Sequence, residues 1–312
     1  MTQPAKPDRR SERQTAPDSP RLAVIILNWN AAPDTIHCVH EIDGWERLQT
    51  DIWIVDNAST GGSIDAIREQ CPQARLLCNA ANLGFGGGNN RGLERALAAG
   101  DAPILLLNND ATIAQADMIQ LLRTLENKRQ LGCVGPLLYD RSDPARLLSA
   151  GGRDISRHIQ THIAQPAAGT LLPVDYVPGT AILIRAEALR QTGLLDETYF
   201  FSGEIADLCE RLRRQGYGCA IDARARAFHE RHTQLDDTET LRTYYSIRNR
   251  FLFIKKFRSR SLALVWVIRA WGMSIIAHLR GERRRARAIR LAVRDARQGR
   301  FGAQNERVLG RR

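Results

Sequence analysis

The stretch Leu22-Ala-Val-Ile-Ile-Leu-Asn28 is a continuous apolar run that ends in an asparagine. A run without polar alternation is typical of a strand that is buried on both faces, as in a parallel sheet covered by helices. Similar runs recur at 52–55, 74–78, 103–107 and 132–138. Helix-like segments separate them at about 33–44, 62–70, 88–99 and 115–128. This alternation predicts an α/β fold with a mostly parallel sheet flanked by helices.

Polar side chains follow three of the predicted strands at their carboxyl ends, where open parallel sheets bind ligands. They are Asn28 and Asn30 after the first strand, Asp56, Asn57 and Ser59 after the second, and Asn108 and Asp110 after the fourth. A carboxylate after the second strand can accept hydrogen bonds from a nucleobase or a ribose. One after the fourth can hold Mg²⁺ or Mn²⁺ against a diphosphate. At both places the alternative is a turn or helix cap without a ligand.

A glycine-rich segment lies between the third and fourth strands: Asn79-Ala-Ala-Asn-Leu-Gly-Phe-Gly-Gly-Gly-Asn-Asn-Arg-Gly92. Its glycines let backbone amides approach a ligand closely, and the helix that follows offers its N-terminus to a phosphate. The segment lacks the Lys-Ser/Thr ending of a phosphate loop. The first strand also lacks the G-x-G-x-x-G pattern that follows it in dinucleotide-binding oxidoreductases, which disfavours that class of enzyme.

Another segment of interest, which we call the acidic segment, is Tyr199-Phe-Phe-Ser-Gly-Glu-Ile-Ala-Asp-Leu-Cys-Glu-Arg-Leu-Arg-Arg-Gln-Gly216. Glu204 and Asp207 are three residues apart, so on a helix they share one face. Either carboxylate can remove a proton from an incoming hydroxyl. For Asp207 the alternative is a surface ion pair with Arg211, one helical turn later, or an acid favoured by the helix dipole.

These blocks, in this order, resemble the signature of the family 2 glycosyltransferases, which have the Rossmann-like GT-A fold. The nearest branch is similar to the rhamnosyltransferases of bacterial surface polysaccharide synthesis. The matching blocks are 28–30, 55–59, 82–92, 105–110, 177–181 and 199–208, with His229 and Arg248-Asn249-Arg250 after them. Together they cover residues 22 to about 255, most of the chain.

The resemblance implies a role for each matched position. Asp56 would contact the base of a nucleotide sugar, and Asp110 would be the surviving acid of an Asp-x-Asp metal motif in which Asn108 replaces the first. His229 would complete a site for Mg²⁺ or Mn²⁺, although His229 and His232 are also read as ordinary loop histidines. The other donor-binding positions implied are Asn28, Asn30, Asn57, Ser59, Asn82, Gly84, Gly88, Asn89, Asn108 and Arg248, and Arg250 would also offset phosphate charge. The acceptor side would comprise Gly179, Thr180 and Phe200.

One departure from the family pattern concerns the catalytic base. The family has two adjacent acids where this chain has Glu204 and Ile205, and the second acid is the one usually assigned as base. Isoleucine cannot accept a proton, so we expect Glu204 to act as base and Asp207 to orient the acceptor. The resemblance implies an inverting transfer of a hexose or deoxyhexose, rhamnose among them, from a nucleotide diphosphate sugar to a lipid-linked or polysaccharide acceptor. The alternative is a non-catalytic sugar-nucleotide-binding homologue or scaffold.

The charge of the chain is uneven. Residues 242–312 hold 20 Lys and Arg against three acids, a net charge of +17, so with a total of +11 the remainder is −6. The apolar segment 261–279 within this part is short for a membrane span and has Arg269 at its centre. We therefore expect an interfacial helix on an anionic membrane surface rather than a nucleic-acid-binding module. The alternative is a helix packed on the catalytic domain beside a solvated basic face.

The predicted organisation has three parts: a disordered tail at 1–20, a glycosyltransferase domain at 21–258, and a basic amphipathic helical segment at 259–312 that associates with the membrane. The tail is charged and rich in Pro, Ser and Thr, without the apolar core of a signal peptide. The six cysteines show no CxxC pair, which favours reduced thiols in the cytoplasm. The expected location is therefore cytoplasmic, at the inner face of the cell membrane.

Overall fold

The computed structural model of the chain describes residues 19–230 and 236–310. Residues 1–18 of the predicted tail and His232 lie outside the described residues. The first half alternates strands and helices in the predicted order: β1 (Arg21–Asn28), α1 (Ala32–Asp43), β2 (Gln49–Asp56), α2 (Ser63–Gln70), β3 (Arg75–Cys78), α3 (Gly84–Ala99) and β4 (Ile104–Asn108). The predicted α/β class is therefore confirmed.

The second half adds the elements that close the sheet and cover it. They are β5 (Ala111–Ile113), α4 (Gln115–Asn127), β6 (Leu131–Asp140), β7 (Leu147–Ser149), β8 (Leu171–Pro173), β9 (Ala181–Ile184), α5 (Ala186–Thr192), a 3₁₀ turn (Glu197–Tyr199), α6 (Glu204–Arg214) and β10 (Gly218–His229). Four helices end the described chain: α7 (Asp236–Phe257), α8 (Arg260–Leu279), α9 (Arg283–Arg297) and α10 (Asn305–Leu309).

The main path of the sheet runs β3-β2-β1-β4-β9-β6-β10-β5. Strands β1 to β4 are parallel, as are β6 and β10, whereas β9 is antiparallel to both of its neighbours. Register pairs Asn28 with Asp56 and Leu27 with Asn108. The polar residues that follow β1, β2 and β4 therefore meet at one edge of the sheet, as the sequence predicts.

The sheet is covered on both faces because side chains of β1 alternate between two apolar layers. Val24 and Ile26 pack in the layer that contains residues of α1 and α4. Ile25 packs in the opposite layer, which contains residues of α3 and α6. Burial on both faces explains why β1 has a continuous apolar sequence rather than alternating polar positions.

Two elements at the site differ from the predicted pattern. The sequence predicts a strand at 217–222, but β10 continues to His229 through a register shift between Asp222 and Arg226. Strand β5 is also absent from the prediction, because three residues directly after a strand end read as a turn. It pairs antiparallel with the end of β10, with Ala111 opposite His229.

The C-terminal helices form a third apolar cluster of their own. Tyr244 and Ile254 of α7, Trp266 of α8 and Ile289 of α9 pack together there, and Phe200 joins them from the segment before α6. Helix α8 is long and apolar enough to cross a membrane, and it is the one such helix within the described ranges. Most of it is exposed, since only 22% of its most apolar window is buried.

Candidate active site

The ends of β1 and β2 are joined by a buried polar network. Asn28 Nδ2 donates to Asp56 Oδ2 at 2.6 Å and lies 3.1 Å from Ser59 Oγ, while the Ser59 amide donates to Asp56 Oδ1 at 2.9 Å. Asn28 and Asp56 are both 0% exposed. Placed this way, their side chains stabilise the loop. Direct contact of these two residues with the donor stays a prediction.

Asn30 lies in the loop after β1, at the solvent-exposed surface. Its φ of +53° is in the left-handed region, which asparagine tolerates better than most residues. Asn30 Oδ1 accepts a hydrogen bond from the Thr60 amide at 2.8 Å, and the Asn30 amide donates to Ser59 Oγ at 2.8 Å. Because Asn30 is exposed, it remains available to a ligand at this edge of the sheet.

Asn57 links the end of β2 to the glycine-rich segment. Its Nδ2 donates to Asn82 Oδ1 at 2.9 Å and to the Gly84 carbonyl at 3.1 Å, and its Oδ1 accepts from the Leu83 amide at 3.0 Å. Asn82 Oδ1 also accepts from the Gly84 amide at 2.8 Å. Two of the expected donor-binding residues, Asn57 and Asn82, thus form the turn that starts α3.

The glycines of α3 face the protein instead of an open ligand site. A Cβ on Gly88 would lie 2.5 Å from Leu27 Cδ1, and one on Gly92 would lie 2.6 Å from Ile25 Cγ2. Asn89 is buried and donates to the Phe85 carbonyl, one turn earlier. Gly88 and Gly92 therefore allow α3 to pack closely on β1, and the assignment of Gly88 and Asn89 to donor binding stays a prediction.

Gly84 is different, because it brings α3 to the acidic segment. It has φ of +74°, and a Cβ there would lie 2.1 Å from the Phe200 carbonyl oxygen. That oxygen accepts a hydrogen bond from the Phe85 amide at 2.6 Å. The structure therefore brings together Gly84 and Phe200, two positions assigned on the sequence to donor and acceptor sides.

Asp110 and His229 meet at the end of the sheet, because β5 pairs with β10. Asp110 Oδ1 lies 3.1 Å from His229 Nε2, yet this buried oxygen has no hydrogen bond to any described residue. The two atoms are close to each other but are not aligned for a hydrogen bond. A buried carboxylate oxygen without a donor, next to an imidazole nitrogen, is a pair of ligand atoms suited to a divalent metal.

Open space surrounds these strand ends. A cavity of about 220 Å³ is lined by Asp34, His37, Asn109, Asp110, Arg141 and Glu230. A larger one of about 730 Å³ lies between α1 and α2 and is lined by Asn30, Thr60, Gly61, Gly62 and Ser63 among others. Another, of about 620 Å³, lies at the opposite end of the sheet around Arg21 and Trp53. It contains none of the sequence-predicted site residues.

Glu204 is the first residue of α6 and is 5% exposed. Burial, with a smaller contribution from the nearby charge of Asp207, raises the pKa of its carboxyl to about 7, and a hydrogen bond from its own backbone amide acts against this rise. Its Oε2 atom is buried without a hydrogen-bond partner among the described residues. A carboxylate with a pKa near neutrality and a free oxygen has the properties of a general base.

Asp207 has a different environment. It is 0% exposed, and its oxygens pair with Arg211 Nε at 2.7 Å, with the Tyr199 hydroxyl at 3.1 Å and with Lys256 Nζ. Its oxygens are thus directed at partners within the protein, and its expected role in orienting the acceptor stays a prediction. The i, i+4 pair with Arg211 is present, but it is buried instead of lying on the surface.

Ile205 occupies the position of the missing acid and packs toward the turn before β9. A Cβ on Gly179 would lie 3.0 Å from Ile205 Cγ1. The adjacent Thr180 accepts a hydrogen bond through its carbonyl from the Asn108 amide at 2.9 Å. The structure therefore connects the predicted acceptor turn to the end of β4 on one side and to α6 on the other.

Arg248 is fully buried and does not reach the strand ends. Its guanidinium donates to the carbonyls of Tyr199 (2.9 Å) and Gly302 (2.7 Å), and the Gly302 amide donates to the Thr198 carbonyl. Arg250 donates to the Ile159 carbonyl and is 7% exposed. Both guanidinium groups donate to backbone carbonyls, and their role in offsetting phosphate charge stays a prediction.

The sequence analysis names Asn249 in a matching block but gives it no role, and it does not name Lys256; both are α7 side chains that hold the acidic segment. Asn249 Nδ2 donates to backbone carbonyls of that segment, and Lys256 Nζ pairs with Asp196 at 2.8 Å as well as with Asp207. The available signal was an amide between two arginines on a helix otherwise rich in aromatics. When such an amide is buried, it needs hydrogen-bond partners within the protein.

Residues 20–250 match the family model described as glycosyltransferase like family 2. Among curated proteins, the N-acetylglucosaminyl-diphospho-decaprenol L-rhamnosyltransferase of Mycobacterium tuberculosis is 24% identical over 304 residues, 88% of this chain and 98% of that protein. The low-salt glycan biosynthesis hexosyltransferase Agl10 of Haloferax volcanii is 26% identical over 247 residues, 77% of this chain and 78% of that protein.

The fold is also similar to that of the mannosyltransferase PcManGT from Pyrobaculum calidifontis, solved in complex with GDP-Man and Mn²⁺. The TM-score is 0.54 at 14% identity, and the match covers 90% of this chain and 88% of that one. At this identity the similarity concerns the fold alone. It agrees with the GT-A architecture expected from the sequence.

Proposed function

Because this chain belongs to glycosyltransferase-like family 2 and is therefore a glycosyltransferase, we propose that it moves a hexose or deoxyhexose from a nucleotide diphosphate sugar to a lipid-linked or polysaccharide acceptor. Rhamnose is one such sugar, since a relative that matches over 88% of the chain is a rhamnosyltransferase acting on a decaprenol-linked substrate. The setting would be bacterial surface polysaccharide synthesis.

The donor would bind at the carboxyl edge of the sheet. Asn30 and Asn108 border that edge, and the buried groups around Asp56 and Asn57 hold its loops in place. Asp110 and His229 fit a divalent metal, because Asp110 Oδ1 is buried without a donor and lies beside an imidazole nitrogen. When bound there, Mg²⁺ or Mn²⁺ would neutralise charge on the departing diphosphate. A fold relative solved with a nucleotide sugar and Mn²⁺ supports this assignment.

Glu204 would act as the general base in a single displacement. Its carboxylate takes the proton of the acceptor hydroxyl while the acceptor oxygen forms a bond to the anomeric carbon. The bond from that carbon to the diphosphate oxygen breaks in the same step, so the configuration of the sugar is inverted. The observation that carries this assignment is the buried, unpartnered Oε2 of Glu204 at the start of α6.

The donor site is tested by calorimetric binding of UDP-, TDP- and GDP-sugars with Mn²⁺ or with EDTA, on the wild type and on Asp110→Ala. We expect one donor to bind in a metal-dependent way and the substitution to abolish that dependence. Asp101→Ala is the control, because Asp101 pairs with Arg190 before β4, at the other end of the strand. Failure of every donor to bind the wild type would contradict the proposal.

The catalytic proposal is separated from the non-catalytic alternative by Glu204→Gln. The amide keeps the shape of the side chain but cannot accept the proton, so we expect donor binding to persist and turnover to fall by about 10²- to 10⁴-fold. Transfer would be followed with membrane extract as acceptor. A variant as active as the wild type would exclude Glu204 as base, and a wild type that binds donor without any transfer would favour a scaffold.

We also propose that α8 and α9 attach the enzyme to the cytoplasmic face of the membrane, through an anionic lipid surface and not through nucleic acid. Five exposed apolar residues of α8 follow one another at intervals of three or four: Leu264, Ile268, Trp271, Ile275 and Leu279. We call these five residues the α8 stripe. Helix α9 adds exposed arginines at 283, 284, 285, 287, 290, 294 and 297. An apolar face next to basic residues is typical of interfacial helices.

A further inference from the structure

Three of the five residues that lead into α6 adopt backbone conformations that side chains rarely take. The φ angle is +62° at Phe200, +70° at Ser202 and +107° at Gly203. Non-glycine residues stay in the left-handed region only where surrounding contacts hold them there. Since α6 begins directly after Gly203, the segment Tyr199–Gly203 sets the position from which the Glu204 side chain projects.

The holding contacts come from two adjacent residues of α7. Asn249 Nδ2 lies 2.9 Å from the Tyr199 carbonyl oxygen, 2.8 Å from that of Phe201 and 2.6 Å from that of Ser202. A side-chain amide has two hydrogens and can satisfy two of these acceptors at a time. Arg248 Nη2 supplies a further donor to the Tyr199 carbonyl at 2.9 Å. All three carbonyls are therefore satisfied from α7.

Asn249 is itself fixed in orientation. Its Oδ1 accepts a hydrogen bond from Arg248 Nε at 2.9 Å, which directs the Nδ2 group toward the segment. The residue is 1% exposed, and a Cβ on Gly203 would lie 3.5 Å from Asn249 Cβ. This leaves little room for the segment to move while Asn249 is in place.

We infer that Asn249 is a positioning residue for the Glu204 carboxylate. The inference rests on the proposed role of Glu204 as base. Asn249 contacts the backbone before Glu204 and not its carboxyl, and Glu204 Oε2 has no hydrogen bond of its own to a described residue. The location of that oxygen therefore follows the backbone of the segment, which Asn249 holds.

Other charged groups near Glu204 act on its proton affinity without involving Asn249. Asp207 lies on the same helix and raises the pKa of Glu204. Arg211 of α6 and Lys256 of α7 pair with Asp207, and the Tyr199 hydroxyl donates to it. An uncharged substitution of Asn249 removes none of these charged groups, so its effect on Glu204 reports the position and solvation of the segment, to which Tyr199 belongs.

The test is Asn249→Leu, which keeps the volume of the side chain and removes both donors, with Asn249→Ala as a second variant. The control is Trp266→Phe, which also removes one buried donor to a backbone carbonyl, but that carbonyl belongs to Ser156 and not to the segment. We expect Asn249→Leu to lower kcat about 10- to 100-fold with the donor KM within about threefold, since a small misplacement of a catalytic group is costly. Trp266→Phe should lower Tm without that loss of kcat.

The pH dependence gives the second readout. Burial holds the pKa of Glu204 at about 7, so admission of water to a loosened segment lowers it and moves the acidic limb of the kcat profile to lower pH. The same shift should appear in a ¹³C NMR titration of the Glu204 carboxyl, which needs no turnover. An unchanged limb and titration in both Asn249 variants would overturn the inference. A wild type with no transferase activity would instead overturn the role of Glu204, and the titration would still test the positioning.

Discussion

At the scale of single residues, the carboxylates of the site differ in whether all their oxygens have hydrogen-bond or ion-pair partners. Asp56 and Asp207 lie within hydrogen bonds and ion pairs, whereas Asp110 and Glu204 each keep one buried oxygen without a hydrogen bond. The sequence places all four at strand or helix ends. It cannot tell them apart, because the difference lies in partners such as Asn28 and Lys256 that are distant along the chain.

The unpaired state of Glu204 predicts an effect on stability. Its pKa of about 7 in the folded protein exceeds the ordinary value of 4.5. The favourable contribution of its protonated form is therefore complete below pH 4.5 and is lost as the pH rises through 7. We expect Glu204→Gln to raise the free energy of unfolding at pH 8 by about 1–3 kcal/mol, and by much less at pH 5.

Urea unfolding of the wild type and of Glu204→Gln at the two pH values measures this difference. Glu210→Gln is the contrasting variant, because the pKa of Glu210 is lowered to about 2, against burial, by Arg258 and Arg214. Loss of the Glu210 carboxylate in this variant should destabilise the protein at pH 8. Equal stability of Glu204→Gln and wild type at pH 8 would show that Glu204 is solvated in the folded state.

At the scale of elements, α3 shows why pattern and role can diverge. The glycines of 84–92 predict that the backbone approaches another group closely. It does so in the structure, where the close neighbours are residues of β1 and Phe200. A missing side chain indicates that something lies close, but not what. The strands were predictable because buried strands have continuous apolar sequences, whereas β5 depends on partner residues 114 to 118 positions later, at the end of β10.

Two glycine-to-alanine substitutions in helices should have opposite effects. Gly92→Ala places a methyl 2.6 Å from Ile25 Cγ2 and should destabilise the protein by about 1–3 kcal/mol through overpacking. Gly272→Ala in α8 meets nothing within 4 Å and should stabilise it by about 0.5–1 kcal/mol, because alanine is the better helix former. Thermal unfolding of both variants gives the comparison. Stabilisation by Gly92→Ala would mean that α3 lies farther from β1 than this 2.6 Å distance implies.

At the scale of the whole molecule, α7 belongs to two parts at once. Phe253 packs in the apolar layer of the sheet, while Tyr244 and Ile254 pack with α8 and α9. The family match ends at residue 250, inside this helix. The uneven charge predicts that the C-terminal region has its own partner, but hydrogen bonds between α7 and the acidic segment leave no trace in composition or periodicity.

Membrane attachment predicts a defined response to two changes in the α8 stripe. Ile268→Asp with Ile275→Asp should abolish flotation of the protein with vesicles that contain anionic phosphatidylglycerol, because the apolar face can no longer enter the interface. Donor binding should be unchanged. The wild type should bind neutral phosphatidylcholine vesicles weakly, and salt should reduce its binding to anionic ones. Retained flotation of the double variant would assign attachment to another surface.

The contacts of Gly302 decide how such experiments can be done. This residue, close to the end of the described chain, is joined through its carbonyl to Arg248 and through its amide to Thr198. Truncation of the chain is the usual way to free such an enzyme from a membrane. Truncation before Gly302 would also remove these two contacts, which hold the loop that leads to Glu204. An inactive truncated protein would say nothing about lipids. Surface substitutions that leave the C-terminal segment intact are the tool that separates attachment from catalysis.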